Sequence, residues 1–283
     1  MKKTTLPVKH AEKIDETELT DIQNHVPDLR KDLHVFVNYI SSRTVKRSVR
    51  ENTLPKLDLK RLAKLMSDPV AVSDVDKYGE SDWIDFIDGL ALRLDFIDYD
   101  IHGEYAGYTS STLSYPDNYI EFDKDVYHAF VKKSLQEQEQ MIFDSLVDSY
   151  SSSRNEFYAF NALSRLDRFG TWGCATGVMP FLDFGKTRRR IFAHLKHYTP
   201  GVWYAAASLI RRLKELDPYF LIPEKPKYKN KYYEKKGRYG NFFESKYSGY
   251  EPTVKPTDPD AFERVEGRYI ERFLEYIPLC MGY

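Results

Sequence analysis

Residues 81–123 read SDWIDFIDGLALRLDFIDYDIHGEYAGYTSSTLSYPDNYIEFD, and the fold turns on how this stretch is parsed. Trp83, Ile84, Ile87, Leu90, Ala91 and Leu94 recur at three- and four-residue spacing, the period of an amphipathic helix that Ser81 or Asp82 is placed to cap. The pattern then changes. Tyr, Ile and Phe crowd between Gly103, Gly107 and the turn at Pro116–Asn118, the composition of a long hairpin.

Upstream, Leu33, Phe36, Val37 and Ile40 mark a first helix. A strand-like connector, RTVKRSVRENTLPK, leads to a second helix with Asp58 as its cap and Leu59, Leu62, Ala63 and Met66 on its inner face. Residues 68–80 read as a polar loop. Three helices followed by a hairpin is the order of a winged helix-turn-helix. Downstream the order recurs without sequence identity. Leu135–Tyr150 and Phe157–Phe169 are helical, and Asp183–Tyr198 and Trp203–Leu216 form a pair joined by Thr199-Pro200-Gly201. A final helix, Pro259–Ile277, repeats Phe262, Val265, Tyr269, Phe273 and Ile277. The predicted architecture is mainly α with small β wings, an α+β chain of tandem winged helix-turn-helix units. It has a flexible arm at 1–27, a first domain at 28–134, and a second at 135–283 that carries a basic, aromatic insertion at 223–256 and the C-terminal helix. The Ser-rich run 150–153 is a linker or a helix end.

The chain has 283 residues, of which 42% are hydrophobic and 15% aromatic, enough for a sizeable core and too apolar for wholesale disorder. No apolar run approaches the roughly 18–20 residues of a membrane span, and the two leading lysines precede no apolar stretch of a secretory signal, so no membrane role and a cytoplasmic location are expected. The apolar ending, Pro278 to Tyr283, suggests a surface that a longer parent or a partner covers. Cys174 and Cys280 lie far apart with no metal-ligand spacing. His194 and His197, three apart, lack a third ligand, and the 82/85/88 aspartates follow helical spacing. Neither a phosphate-cradling GxxxxGK[ST] nor a GxSxG nucleophile motif occurs. Neither catalysis nor a metal or other cofactor is expected.

The formal net charge of −1 conceals a division: residues 1–64, 65–150, 151–250 and 251–283 carry +5, −14, +11 and −3. Patches rather than the sum steer partners, because screening limits reach to about 8–10 Å. Two basic clusters are candidates for phosphate contact. The first is Arg43, Lys46, Arg47, Arg50, Lys56, Lys60, Arg61 and Lys64, opposed only by Glu51 and Asp58. The second joins Lys186, Arg188, Arg189, Arg190, Arg211, Arg212 and Lys214 to a lysine run, Lys225, Lys227, Lys229, Lys231, Lys235, Lys236 and Arg238. Tyr232, Tyr233 and Tyr239 stand among these lysines, and cations between aromatics suit phosphate contact with base stacking. Asp82, Asp85, Asp88 and Asp95 would repel a phosphate backbone, so this helix reads as a protein-binding face. Both basic clusters also have a plainer reading as solvated surface.

The run TVKRSVRENTLPKLDLKRLAKLM resembles the first winged-helix segment of bacterial proteins that carry the amino-terminal domain of XPB-type helicases, and RRRIFAHLKHYTPGVWYAAASLIRRLKELDPYFLIP is similar to a second. These stretches cover under a quarter of the chain, and the helicase motor motifs are absent. The resemblance implies a helicase-associated or DNA-processing accessory module without ATPase activity. By association only, it points to a component of a bacterial antiviral defence complex. The function expected is a non-catalytic subunit that binds nucleic acid, DNA first, alongside an ATPase, helicase or nuclease. The rival is a protein-protein adaptor that binds no nucleic acid.

Overall fold

A computed structural model describes residues 13–15, 26–105, 112–149, 155–157, 180–240, 242, 245–246, 249–250 and 254–282. The chain is mainly helical with short antiparallel strands. It divides into two compact units: a first of Asn24–Leu146 with Leu279–Tyr283, and a second of Met1–Gln23 with Val147–Pro278. The division thus falls at 146/147, later than the expected 134/135, because helix α6 (Leu135–Val147) belongs almost wholly to the first unit. Ser134 and Glu137 start α6 with a reciprocal cap: Glu137 accepts from the Ser134 N–H at 2.9 Å, and Ser134 Oγ accepts from the Glu137 N–H at 3.3 Å.

In the first unit, α1 (Leu29–Ser41) begins at Asp28, whose carboxylate accepts from the Lys31 N–H at 2.9 Å. Its inner face is the expected Leu33, Phe36, Val37 and Ile40, all at 2% exposure or less. The connector pairs Lys46 with Tyr119 of the hairpin in an antiparallel bridge. Helix α2 (Lys56–Ala63) starts at Pro55 without a side-chain cap; Asp58, the expected cap, instead accepts from the Tyr39 hydroxyl at 2.6 Å. A helix stands where a loop was expected: α3 (Ala71–Tyr78), which buries only Ala71 and Val75 and ends on Gly79 at φ 79°. Two inward residues in eight make no visible period, so only the closing glycine announced it.

Helix α4 (Asp82–Arg93) is capped by Ser81, as read from the sequence. It buries Trp83, Ile84, Phe86, Ile87, Asp88, Leu90 and Ala91, so most of its circumference is core. The hairpin pairs β1 (Ile97–Asp98) with β4 (Glu121–Phe122) and β2 (Glu104–Tyr105) with β3 (Leu113–Ser114), all antiparallel. Helix α5 (Lys124–Val131), which the sequence reading passed over, follows with Asp123 accepting from the Asp125 and Val126 N–H groups.

In the second unit, α7 (Phe184–Leu195) is capped by Asp183, and α8 (Ala206–Leu216) begins three residues later than expected. The delay has a cause: Trp203 and Tyr204 are engaged elsewhere. The Trp203 carbonyl accepts from the Ile14 N–H at 3.0 Å, and Lys13 bridges Tyr204. These are the described part of the expected arm; the rest of 1–27 apart from 26–27 lies outside the described residues, as do the Phe157–Phe169 helix beyond Phe157, the run 150–153 and Cys174. After a 3-10 turn at Tyr233–Lys236 and the pair β5 (Ser245–Lys246) with β6 (Gly249–Tyr250), a π-helical turn at Glu263–Gly267 runs into α9 (Arg268–Leu274) and then α10 (Ile277–Met281), whose residues from Leu279 on are counted with the first unit. Phe262, Val265, Tyr269, Phe273 and Ile277 are buried, as their spacing predicts. The core centres on aromatics: Phe157 lies 5.2 Å from Tyr269 and 5.4 Å from Phe242, ring centre to ring centre.

Candidate nucleic-acid interface

The two basic clusters separate, residue by residue, into side chains that hold the fold and side chains that face water. In the first cluster Arg47 is only 6% exposed. Its guanidinium lies 3.0 Å from the Asp88 carboxylate, stacks 3.8 Å from the centre of the Tyr99 ring, and donates to the carbonyl and the side-chain oxygen of Asn52. Asn118 extends the network, donating to Asn52 Oδ1 and to the Asp100 carbonyl. Arg47 therefore ties connector, α4 and hairpin together, and its burial leaves the guanidinium little surface to offer a phosphate. Burial, with the nearby Asp88 charge, drives the Tyr99 hydroxyl far above its ordinary range.

Asp88 leaves the proposed protein-binding set for the same reason. Of the other three aspartates, Asp82 and Asp95 are exposed at opposite ends of α4, and Asp85 is half-buried, so the four form no single acidic face. Asp95 closes the helix in the left-handed region, φ 57°.

Arg43, Lys46, Arg50, Lys56, Lys60, Arg61 and Lys64 remain at or near the surface. Arg43 lies over the Tyr39 ring at 3.8 Å, Lys46 pairs with Asp117 at 2.8 Å, and Lys60 pairs with Asp76 at 2.8 Å. Such exposed pairs exchange readily with a stronger anion, since each is worth little in water.

The second cluster gives up Arg188 and Arg212 in the same way. Arg188 is 1% exposed and makes a two-pronged pair with Glu156, at 2.7 and 3.0 Å, while donating to the carbonyls of Val147 and Ser149. Arg212, 2% exposed, donates through Nε to His194 Nδ1 at 3.3 Å. That bond requires a neutral imidazole, and burial, then the Arg212 charge, holds the His194 pKa below its ordinary value. That bond takes one of the two ring nitrogens of His194. Among the described residues no group of three metal-ligating side chains forms. Arg190 pairs with Asp217, Arg189 with Asp148 at 2.7 Å, and Lys214 with Glu263 at 2.7 Å. Arg211 and Lys186 are exposed on α8 and α7.

The segment after α8 is different. Lys225, Lys227, Lys229, Lys231, Lys235 and Lys236 are all exposed, and among the described residues no ion pair holds any of the six. Tyr232, 60% exposed, stands among them with its ring edge-on to half-buried Tyr233 at 5.3 Å and the Lys236 ammonium 5.4 Å from its centre. The other aromatics fold back: Tyr228, Tyr239 and Phe242 are buried, which removes Tyr239 from the stacking set. Arg238 anchors the far end of the segment, donating to Glu266 at 2.6 Å, where Tyr239 also donates at 2.8 Å. Glu266 is wholly buried on the π-helical turn, and burial pushes its pKa up to about 7. The surface left as a candidate is therefore a short exposed lysine-tyrosine segment held at its base by the buried Glu266 side chain.

Cys280 is buried and its thiol is pushed up to about 12 by that burial, which keeps it protonated near neutral pH. Among the described residues no helix is long and apolar enough to cross a membrane. Comparison with protein-family models, with curated proteins and with solved structures finds no match to this chain.

Proposed function

We propose that this chain is a non-catalytic, nucleic-acid-binding accessory subunit, built from winged-helix units and working beside an ATPase, helicase or nuclease. The observation that carries the reading is the segment from Lys225 to Lys236: six exposed lysines, in no ion pair among the described residues, around an exposed tyrosine, beside α7 and α8 whose arginines are mostly committed internally. Lysines at this density suit phosphates, and Tyr232 offers a face on which an unpaired base stacks, worth about 1–3 kcal/mol per base. Lys186 on α7 and Arg211 on α8 are exposed as well. The winged-helix part of the proposal draws on the first unit, where a helix, a connector bridged to the hairpin, three further helices and the hairpin itself follow in that order.

Fluorescence anisotropy against labelled single- and double-stranded DNA and RNA, from about 50 to 200 mM salt, tests the reading. Binding should fall steeply with salt and weaken at least tenfold in K231E/K235E/K236E. Absence of binding at the lowest salt overturns it.

A further inference from the structure

The outer face of α2 combines two properties that a phosphate surface does not need together. Along this helix Leu59, Leu62 and Ala63 point into the core, while Lys56, Leu57, Lys60, Arg61 and Lys64 face water. Helical spacing sets Leu57, Lys60, Arg61 and Lys64 on one stripe, with Leu57 59% exposed in the midst of the cations. Leu65, just past the helix, is 52% exposed.

The 2.8 Å pair between Lys60 and Asp76 joins this stripe to the outer face of α3. There Val72, one turn before Asp76, is exposed, and Tyr78 is 62% exposed with the Lys77 ammonium 4.8 Å from its ring centre. The surface is thus a set of apolar side chains ringed by five cations, Lys56, Lys60, Arg61, Lys64 and Lys77. Its acids are already engaged: Asp76 holds Lys60, half-buried Asp58 accepts from Tyr39 and lies 3.9 Å from Arg61, and half-buried Asp74 acts on Lys77.

We infer that this face of α2 and α3 is a docking surface for an acidic amphipathic segment of a partner protein, its carboxylates on the lysine ring and its apolar residues on Leu57, Leu65 and Val72. Charge complementarity selects the occupant, and the leucines exclude a purely electrostatic one. A long duplex would also meet the rest of the first unit, where 15 Lys and Arg stand against 22 Asp and Glu over 24–146 and 279–283. A short segment meets mainly the patch, and charges more than about 8–10 Å beyond it are screened. The inference is independent of the lysine-tyrosine segment of the second unit.

The test uses the full chain and two labelled 18-residue probe peptides of one composition: glutamate on one helical face with leucine on the other, and a scramble that destroys the faces. The amphipathic peptide should bind at least tenfold more tightly than the scramble. L57E and K60E/K64E should each weaken it tenfold or more, with circular dichroism unchanged, while K231E/K235E/K236E leaves it unaffected. Equal binding of the two peptides, or full binding by L57E, overturns the inference. So does loss, in L57E, of binding to duplex DNA or to phosphatidylserine vesicles, which would reassign the surface to nucleic acid or membrane.

Discussion

A buried arginine and an exposed lysine look alike in a sequence, yet here they have opposite duties. Arg188 is encircled by Glu156 and two carbonyls at 1% exposure, so removing its charge strands a buried carboxylate. Arg188→Met should cost about 3–5 kcal/mol in urea unfolding, a magnitude typical of halving a buried pair. It therefore cannot serve as a probe of phosphate contact, whereas Lys231 can. Glu266 makes a second prediction. Its folded pKa of about 7 lies above the ordinary 4.5. The folded chain thus keeps a proton that the unfolded chain releases, and the stability contributed by Glu266 is full below pH 4.5 and lost as pH rises to about 7. Urea unfolding of wild type and Glu266→Gln, compared at about pH 5 and about pH 8, should show the wild type losing more stability than the variant. Parallel losses in the two proteins would refute the raised value.

Elements were legible where their residues repeat and invisible where they do not. Helix α4 announced itself by apolar period and a capping residue, α1 by its apolar period, and the hairpin by its change of composition. Helix α3 buries two residues, and α5 follows a cap, Asp123, that sits among other aspartates; neither left a periodic trace. The surface could be narrowed to basic stretches, but not to single cations, because which arginines turn inward depends on carboxylates 32 to 41 residues distant, Glu156 for Arg188 and Asp88 for Arg47. Leu57 carried a signal that went unread: it is the leucine of α2 that falls off the 59, 62, 63 phase. The hairpin supplies its own prediction. Gly103 has φ 63°, and a Cβ there would stand 2.8 Å from the Tyr115 ring and 2.9 Å from the Ser114 carbonyl. Gly103→Ala should destabilise the first unit by more than the roughly 1 kcal/mol of a left-handed alanine alone, read as a lower urea midpoint.

Over the whole molecule, charge is partitioned by unit. The second unit has 27 Lys and Arg against 21 Asp and Glu, the first 15 against 22, and the sum is near zero. Attraction to nucleic acid must then be local, and the salt dependence counts contacts rather than net charge. If the six lysines of 225–236 each meet a phosphate of a single strand, log K should fall with log salt at a slope of about −4. Each charge removed should lower that slope by about 0.7. A slope insensitive to these lysines would place the contact elsewhere.

The bridge between Lys13 and Tyr204 joins residues 191 positions apart. At about 5–20 residues per second, ribosomal synthesis leaves Ile14 waiting some ten to forty seconds before its acceptor, the Trp203 carbonyl, exists. Residues 24–146, which make up most of the first unit, have time to fold in that interval. The second unit receives one of its earliest-made pieces late, so the nascent chain carries an unpaired backbone segment long after residues 24–146 have emerged.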